Sequence, residues 1–357
     1  MSRYFPPPAS YDPYLILQLR AQPEGGNLLS DVRQETPHGP FAGNEVVVLV
    51  HGFNNHYGEA GQAYDGFRKR QYLRTTPPLQ PPALETVLGD VFWPGDAAWG
   101  LFDLVDFLVY PAAVGTSRDA AARLARHLRS MPTLRVVHFI GHSLGCRVIL
   151  ETIDDLRQNG GALVGRVCLM AAAVPVAHVQ AGGHLAGAME HAGEIRILFS
   201  DDDIVLHYTF PPGQTIAGPG EGFFPTALGR FGPPPGASGR IDAFDINHAG
   251  HGDYWGYSQK TPAAVAADRL AEFFRFGSWQ RTIVGREAGS PPRELVDSRE
   301  AGHAREVQRS SGKSGEGSNG LMVIAGRFSL YRLNRQRCSA TVVPAANSPG
   351  LKSYSPL

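Results

Sequence analysis

The sequence predicts an α/β fold: a mostly parallel central sheet with helices on both faces. Two patterns carry that expectation. Continuous β-branched runs, of which Glu45-Val-Val-Val-Leu-Val50 is the clearest, have no polar face and so read as strands buried on both sides. Amphipathic helical patterns sit between these runs, and strands alternating with helices build parallel sheets covered on both sides.

The strands are expected at Tyr14–Leu19, Glu45–Val50, Asp90–Trp93, Arg135–Ile140, Arg166–Leu169, Glu194–Phe199 and Arg240–Phe244. Around the first of them, Met1 to Asn44 is otherwise irregular, with a Gly-rich turn at Gly25-Gly26. One helical stripe is Ala120, Ala121, Leu124, Ala125 and Leu128, with Arg123, Arg126 and Arg129 turned away. A second is Leu144, Val148, Ile149, Ile153 and Leu156, opposed by Glu151, Asp154 and Asp155. Thr261-Pro262 starts a third, since proline suits the first helical position. Val265, Leu270, Phe273 and Phe274 are its expected buried face, and Gly277 its stop.

The organisation expected is an extension over 1–44, a catalytic domain over 45–280 and a disordered or accessory tail over 281–357. Gly, Ser, Arg and Glu dominate residues 286–320, a composition that cannot bury enough apolar surface to order itself. One apolar stretch, Leu321 to Leu330, is a candidate late strand.

Composition narrows the function. Hydrophobic residues make up 43% of the 357, enough for a large core, while charged residues make up 18%. Lys+Arg 33 balances Asp+Glu 33, so no basic excess exists to neutralise nucleic-acid phosphates. Three cysteines, Cys146, Cys168 and Cys338, do not make a disulfide framework, and the first two lie in apolar stretches as buried thiols. Met1 to Ser10 holds three prolines and no apolar core of a secretory leader. The apolar run Leu101 to Val114 is interrupted by Asp103 and Asp106 and is too short to span a bilayer. The cytoplasm is the expected compartment, and oligomeric state is not legible.

The strongest chemical signal is Gly141-His-Ser-Leu-Gly145, set between the strand ending near Ile140 and the helix beginning at Leu144. A sharp strand-to-helix turn lifts the Ser143 hydroxyl above the sheet edge, and only small residues fit at Gly141 and Gly145. The helix N-terminus then points its unpaired N–H groups toward developing negative charge. A second signal, His51-Gly-Phe-Asn-Asn55, follows the first buried strand. Acyl transfer puts negative charge on a carbonyl oxygen, which needs donors fixed in advance.

Gly141-His-Ser-Leu-Gly145 resembles the nucleophile elbow of α/β hydrolases, especially esterases and lipases, and the resemblance runs from about Glu45 to Phe276. The His-Gly-Phe-Asn-Asn and Trp93-Pro-Gly95 pair resembles a group of largely uncharacterised bacterial α/β hydrolases. The resemblance implies Ser143 as nucleophile and the backbone N–H groups of Phe53 and Leu144 as oxyanion donors. His51 is expected to hold its loop, and Trp93 to pack beside the site.

In this fold the chain order is serine, then acid, then histidine. The strand Ile195–Phe199 ends in Ser200-Asp-Asp-Asp203. The spacing Ser200-x-x-Asp203-x-Val205-Leu206 resembles the family's acid turn and favours Asp203, with Asp202 as the alternative. No Ca²⁺-loop spacing is present among these carboxylates. Among thirteen histidines, His138 falls within a strand, His142 within the elbow and His127 on a polar helix face. His251 lies between Gly250 and Gly252, and with Tyr254 resembles the family's H-x-x-Y turn, which favours it as base over His248. Between Val205 and Arg240 a Pro/Gly-rich connection carries Phe210, Phe223, Phe224 and Phe231, candidate walls of an acyl pocket. Leu101 to Tyr110 is a candidate second wall.

The expected function is therefore a serine hydrolase of the carboxylesterase or lipase type. Ser143, His251 and Asp203 form its triad, it takes a small ester or acyl substrate, and it needs no cofactor or metal. The same triad serves acyltransferases, thioesterases and peptidases, and the scaffold without catalysis is the remaining alternative.

Overall fold

The computed structural model describes residues 13–22, 27–37, 39–53, 55–74, 88–95, 106–237, 239–255, 258 and 260–274. The chain divides after Pro292, and all of these residues lie in the first unit, Met1–Pro292. The expected tail over 281–357, its candidate strand and Cys338 fall outside the described residues.

Eight strands form one sheet: β1 (Leu15–Arg20), β2 (Leu28–Glu35), β3 (Glu45–Val50), β4 (Leu88–Phe92), β5 (Val136–His142), β6 (Leu163–Met170), β7 (Glu194–Phe199) and β8 (Ile241–Asp245). Their order is β2-β1-β4-β3-β5-β6-β7-β8. Every pairing is parallel except β1 with β2. All seven expected strands are present within about three residues at each end. Val46 to Val50 are fully buried, as a strand without a polar face requires. β2 was not expected. It is an edge strand whose residues are all exposed or half-buried, so Leu28-Leu-Ser-Asp-Val-Arg-Gln-Glu35 carries no continuous apolar signal.

The helices between strands are α1 (Tyr57–Arg74), α2 (Asp106–Ser130) and α3 (Leu144–Asn159), and α8 (Thr261–Phe274) closes the described chain. Strand order fixes their faces. From β3 the chain crosses to β4 on one side, then back past β3 to β5 and on to β6. Crossovers are right-handed, so this reversal puts α1 on one face and α2 and α3 on the other. α2 packs on α3, and α1 packs on α8. Because the chains leaving β3 and β5 diverge to opposite faces, a crevice opens at the carboxyl ends of these neighbouring strands, where open α/β sheets place their ligands.

The expected stripes of α2 and α3 are buried throughout. On α8, Leu270, Phe273 and Phe274 are buried, but Val265 is exposed, because Ala263, Ala266 and Ala267 bring the helix close to its neighbours instead. Cys146 and Cys168 are buried free thiols.

The connection after β7 is not irregular, as its prolines and glycines suggested. It contains a π-helical turn (Val205–Thr209), α6 (Phe210–Ala217), a 3-10 turn (Pro219–Glu221) and α7 (Leu228–Phe231), after the short α4 (Val176–Val179) and α5 (Ala186–His191). A buried polar clasp ties it to the body. Arg147, one turn into α3, makes a two-pronged pair with Glu221 at 2.6 and 2.9 Å and also reaches Glu151 at 3.2 Å. Glu221 also accepts from Gln214 and Arg118, and Tyr110 donates to Gln214 at 3.1 Å. Both Arg147 and Glu221 are buried, so their pairing gives specificity of placement more than net stability.

Removing one partner of this clasp strands the other. Glu221→Ala is expected to lower unfolding free energy by about 3 kcal/mol, the scale for an orphaned buried charge. Urea denaturation reads this, and limited proteolysis within residues 205–231 is expected to quicken. An unchanged midpoint counts against the clasp.

Candidate active site

The nucleophile candidate sits where β5 turns into α3. Ser143 has φ 53° and ψ −126°, a backbone conformation that costs energy for a residue with a side chain and persists only where surroundings enforce it. They do so here. Ser143 donates its N–H to Met170 O at 3.0 Å, and its carbonyl accepts from Cys146 N and Ala173 N, both at 3.1 Å. A Cβ on Gly141 would strike Ile149, and one on Gly145 would strike the carbonyl oxygens of Val50 and His51. The motif's glycines are thus required by contact, one with the helix and one with the end of β3.

Three side chains expected from the sequence meet. His251 Nε2 lies 2.9 Å from Ser143 Oγ, and His251 Nδ1 lies 2.8 Å from Asp203 Oδ2. A carboxylate only accepts, so Nδ1 carries the proton and Nε2 presents its lone pair to the serine hydroxyl. Asp203 is fully buried, and its second oxygen accepts the Leu206 N–H at 3.0 Å, which fixes the carboxylate plane. The competing residues pair with each other instead. His248 Nδ1 lies 2.8 Å from Asp202 Oδ2, with the side chains 88% and 52% exposed.

The loop after β3 passes directly against Ser143. A Cβ on Gly52 would lie 2.9 Å from Ser143 Cβ, so a side chain there is excluded. This brings Phe53, next in the chain, to the same crevice as Leu144. Asn55 Nδ2 donates to Phe53 O at 3.0 Å, and Trp93 Nε1 donates to His51 O at 2.8 Å. His51 stacks on Trp93 with ring centroids 5.7 Å apart, and donates from Nδ1 to Gly52 O at 2.9 Å. Burial holds its pKa down to about 3, so the ring is a neutral strut. Both roles expected of this pair, loop support by His51 and packing by Trp93, match their contacts.

Of the four aromatic residues expected to wall a pocket, only Phe210 faces inward. It packs on Tyr110, which meets Phe53 edge-on at 5.6 Å. Phe223, Phe224 and Phe231 are exposed, Phe223 by 84%. The Phe224 N–H is held by Thr215 Oγ at 2.7 Å, a turn that directs the Phe223–Phe224 pair outward. Residues 101–105 of the second expected wall lie outside the described residues.

Sequence reading passed over His142 as part of the elbow. Its ring donates from Nε2 to the carbonyl of His251 at 2.7 Å, and it is buried. Burial, and then the neighbouring His251, hold its pKa down to about 3. Among the described residues no cluster of three or more His, Cys, Asp or Glu is arranged to hold a metal ion. None of their helices is long and apolar enough to cross a membrane.

Residues 40–209 match the model of a family described as "Alpha/beta hydrolase of unknown function (DUF900)". The sheet order, the strand-to-helix turn at Ser143 and this match together decide the fold. The chain is an α/β hydrolase by fold. No functionally curated protein matches it. Among solved structures it is similar to an esterase of Pyrobaculum calidifontis at 14% identity and a TM-score of 0.37, over 67% of this chain and 76% of that one. It is similar also to carboxyl esterase 2 of the fungus Tuber melanosporum at 11% identity and a TM-score of 0.38, over 69% of this chain and 80% of that one. Likenesses so distant say nothing of an activity of this chain.

Two measurements follow from the site. His51 and His142 are neutral when folded and gain a proton on unfolding below the ordinary histidine value of 6.5. Their contribution to stability is full above pH 6.5 and is lost as pH falls toward about 3. The urea midpoint is expected to drop between about pH 6.5 and 5, before carboxylates titrate; a flat midpoint in that window speaks against two neutral buried rings. Separately, Asp203→Asn is expected to slow reaction of Ser143 with a fluorophosphonate by about 10³-fold or more, the scale for a misdirected imidazole tautomer. Asp202→Asn is expected to leave the rate unchanged, and equal effects would erase the distinction between the two aspartates.

Proposed function

We propose that this chain is a serine hydrolase of carboxylic esters. The observation that carries the reading is the unbroken relay from Asp203 through His251 to Ser143, at 2.8 and 2.9 Å, in the crevice between β3 and β5. A serine hydroxyl is a weak nucleophile at neutral pH and needs a base within hydrogen-bond reach.

In the proposed reaction Ser143 Oγ attacks the ester carbonyl carbon while its proton passes to His251 Nε2. Asp203, buried beside Nδ1, stabilises the imidazolium so formed and holds its tautomer. The negative oxygen of the tetrahedral intermediate takes hydrogen bonds from the backbone N–H groups of Phe53 and Leu144, worth about 3 kcal/mol each on the scale of other oxyanion donors. Collapse breaks the bond to the alcohol oxygen, which receives the proton from His251. Water then repeats the sequence on the acyl-enzyme, releasing the acid and restoring Ser143. Side chains and backbone supply every group in this scheme. Tyr110 and Phe210 line the approach beyond Phe53 and favour an apolar acyl group there.

The test is labelling of the purified chain with a fluorophosphonate, followed by turnover of p-nitrophenyl esters of increasing acyl length. Wild type is expected to label, Ser143→Ala to lose all labelling, and His251→Ala to lose at least about 10³-fold in rate. A folded wild type that neither labels nor turns over any ester sinks the proposal and leaves a scaffold role. Labelling with turnover only of thioesters or amides would keep the triad and replace the substrate class.

A further inference from the structure

We propose that His142 is a positioning residue: it sets the height and direction of the His251 imidazole by gripping the backbone carbonyl of His251 itself. This deepens the hydrolase reading and rests on it.

The geometry is specific. A carbonyl oxygen can only accept, so the 2.7 Å contact between His142 Nε2 and His251 O fixes the Nε2–H tautomer of His142. Its Nδ1 is then a bare acceptor, buried, with no hydrogen-bond partner among the described residues. An orphaned buried acceptor costs free energy, so the ring is kept in that orientation by what its other nitrogen holds. The surroundings agree. His142 contacts the base loop at three places: the His251 carbonyl, the Tyr254 ring at 6.1 Å between centroids and the Trp255 ring at 5.7 Å. On its other side, a Cβ on Gly52 would lie 3.1 Å from Nδ1 and 2.9 Å from Ser143 Cβ. His142 is thus wedged between the loop that carries the base and the loop that carries the Phe53 donor, and it belongs to the strand that carries the nucleophile.

The base loop needs such a hold. It runs through Gly250 and Gly252, and His248 has φ 63°. The turn around His251 is closed on itself, Asp253 N–H to Gly250 O at 3.0 Å and Gly250 N–H to Asp253 Oδ2 at 2.8 Å, and the bond from His142 to the His251 carbonyl ties that turn to β5. A second requirement is charge. The His251 and His142 ring centroids are 4.9 Å apart, and His251 becomes an imidazolium during reaction. A charged neighbour at that distance would oppose this; burial keeps His142 neutral, with Asp203 and His51 the other titratable groups that act on it.

The experiment compares His142→Phe, His142→Gln and His142→Asn with wild type. Phe keeps a planar ring and loses the donor. Gln places an N–H near the position of the imidazole Nε2, whereas Asn is one carbon shorter and does not reach. Fluorophosphonate labelling rates and steady-state hydrolysis of the fastest p-nitrophenyl ester are measured at pH 7.5, with urea midpoints as the control for folding. His142→Phe and His142→Asn are expected to lose about 10- to 100-fold in labelling rate and kcat with KM nearly constant, as for a base displaced by a fraction of an ångström to one ångström. His142→Gln is expected to recover to within about threefold of wild type, since the lost donor is what it replaces. Rates for all three variants equal to wild type overturn the proposal. So does a Gln variant as slow as Asn at an equal urea midpoint. If the Phe variant does not fold, the Gln and Asn comparison decides alone. An unreactive wild type would instead bring down the hydrolase reading, a failure distinct from a reactive wild type matched by its His142 variants.

Discussion

The pressure of the end of β3 on the start of α3 is the constraint on which the site rests. Gly145 lies so close to the carbonyl oxygens of Val50 and His51 that no side chain is possible there, and Gly52 lies nearly as close to Ser143. That approach forces the sharp turn at Ser143, which no residue with a Cβ adopts without cost. The strain is offset by the bonds from Ser143 to Cys146 in α3, to Met170 at the end of β6 and to Ala173 in the loop that follows it. From this one contact follow the height of the serine hydroxyl, the position of the Phe53 loop and the place where His251 must reach.

Much of this was legible because it is made by residue types with few alternatives. Val46 to Val50 can only be a doubly buried strand, and glycine at 141 and 145 around a serine is readable as a tight turn. What the sequence hid has physical reasons. β2 presents no apolar face because it sits at the sheet edge, half in water. The segment 205–231 reads as loop because its helices are short and dense in proline and glycine; their placement is fixed by Arg147 on another helix, a contact 74 positions away. The choice between Asp202 and Asp203 depends on how a turn aims neighbouring carboxylates, which composition does not encode. The role proposed for His142 was invisible because its partner is a backbone carbonyl 109 positions distant.

The three histidines near the crevice illustrate how one fold gives one residue type several tasks. His51 is sealed against Trp93 and supports a loop, and His142 is sealed beneath the base loop. Both are kept uncharged by burial. His251 alone keeps partial contact with solvent, at 19% side-chain exposure, and bonds on both nitrogens to groups that can exchange a proton's charge. Task follows from burial and from what each nitrogen touches.

The exposed pair of His248 and Asp202 gives this arrangement an unexpected shadow. The turn after β7 supplies both aspartates and the turn after β8 both histidines, and they produce two hydrogen-bonded pairs of equal length, one buried beside a serine and one open to water. A reagent that ranks histidines by accessibility would find His248 before His251. On the proposed reading the better displayed pair is the decoy, and depth beneath the surface, beside Ser143, sets the other apart.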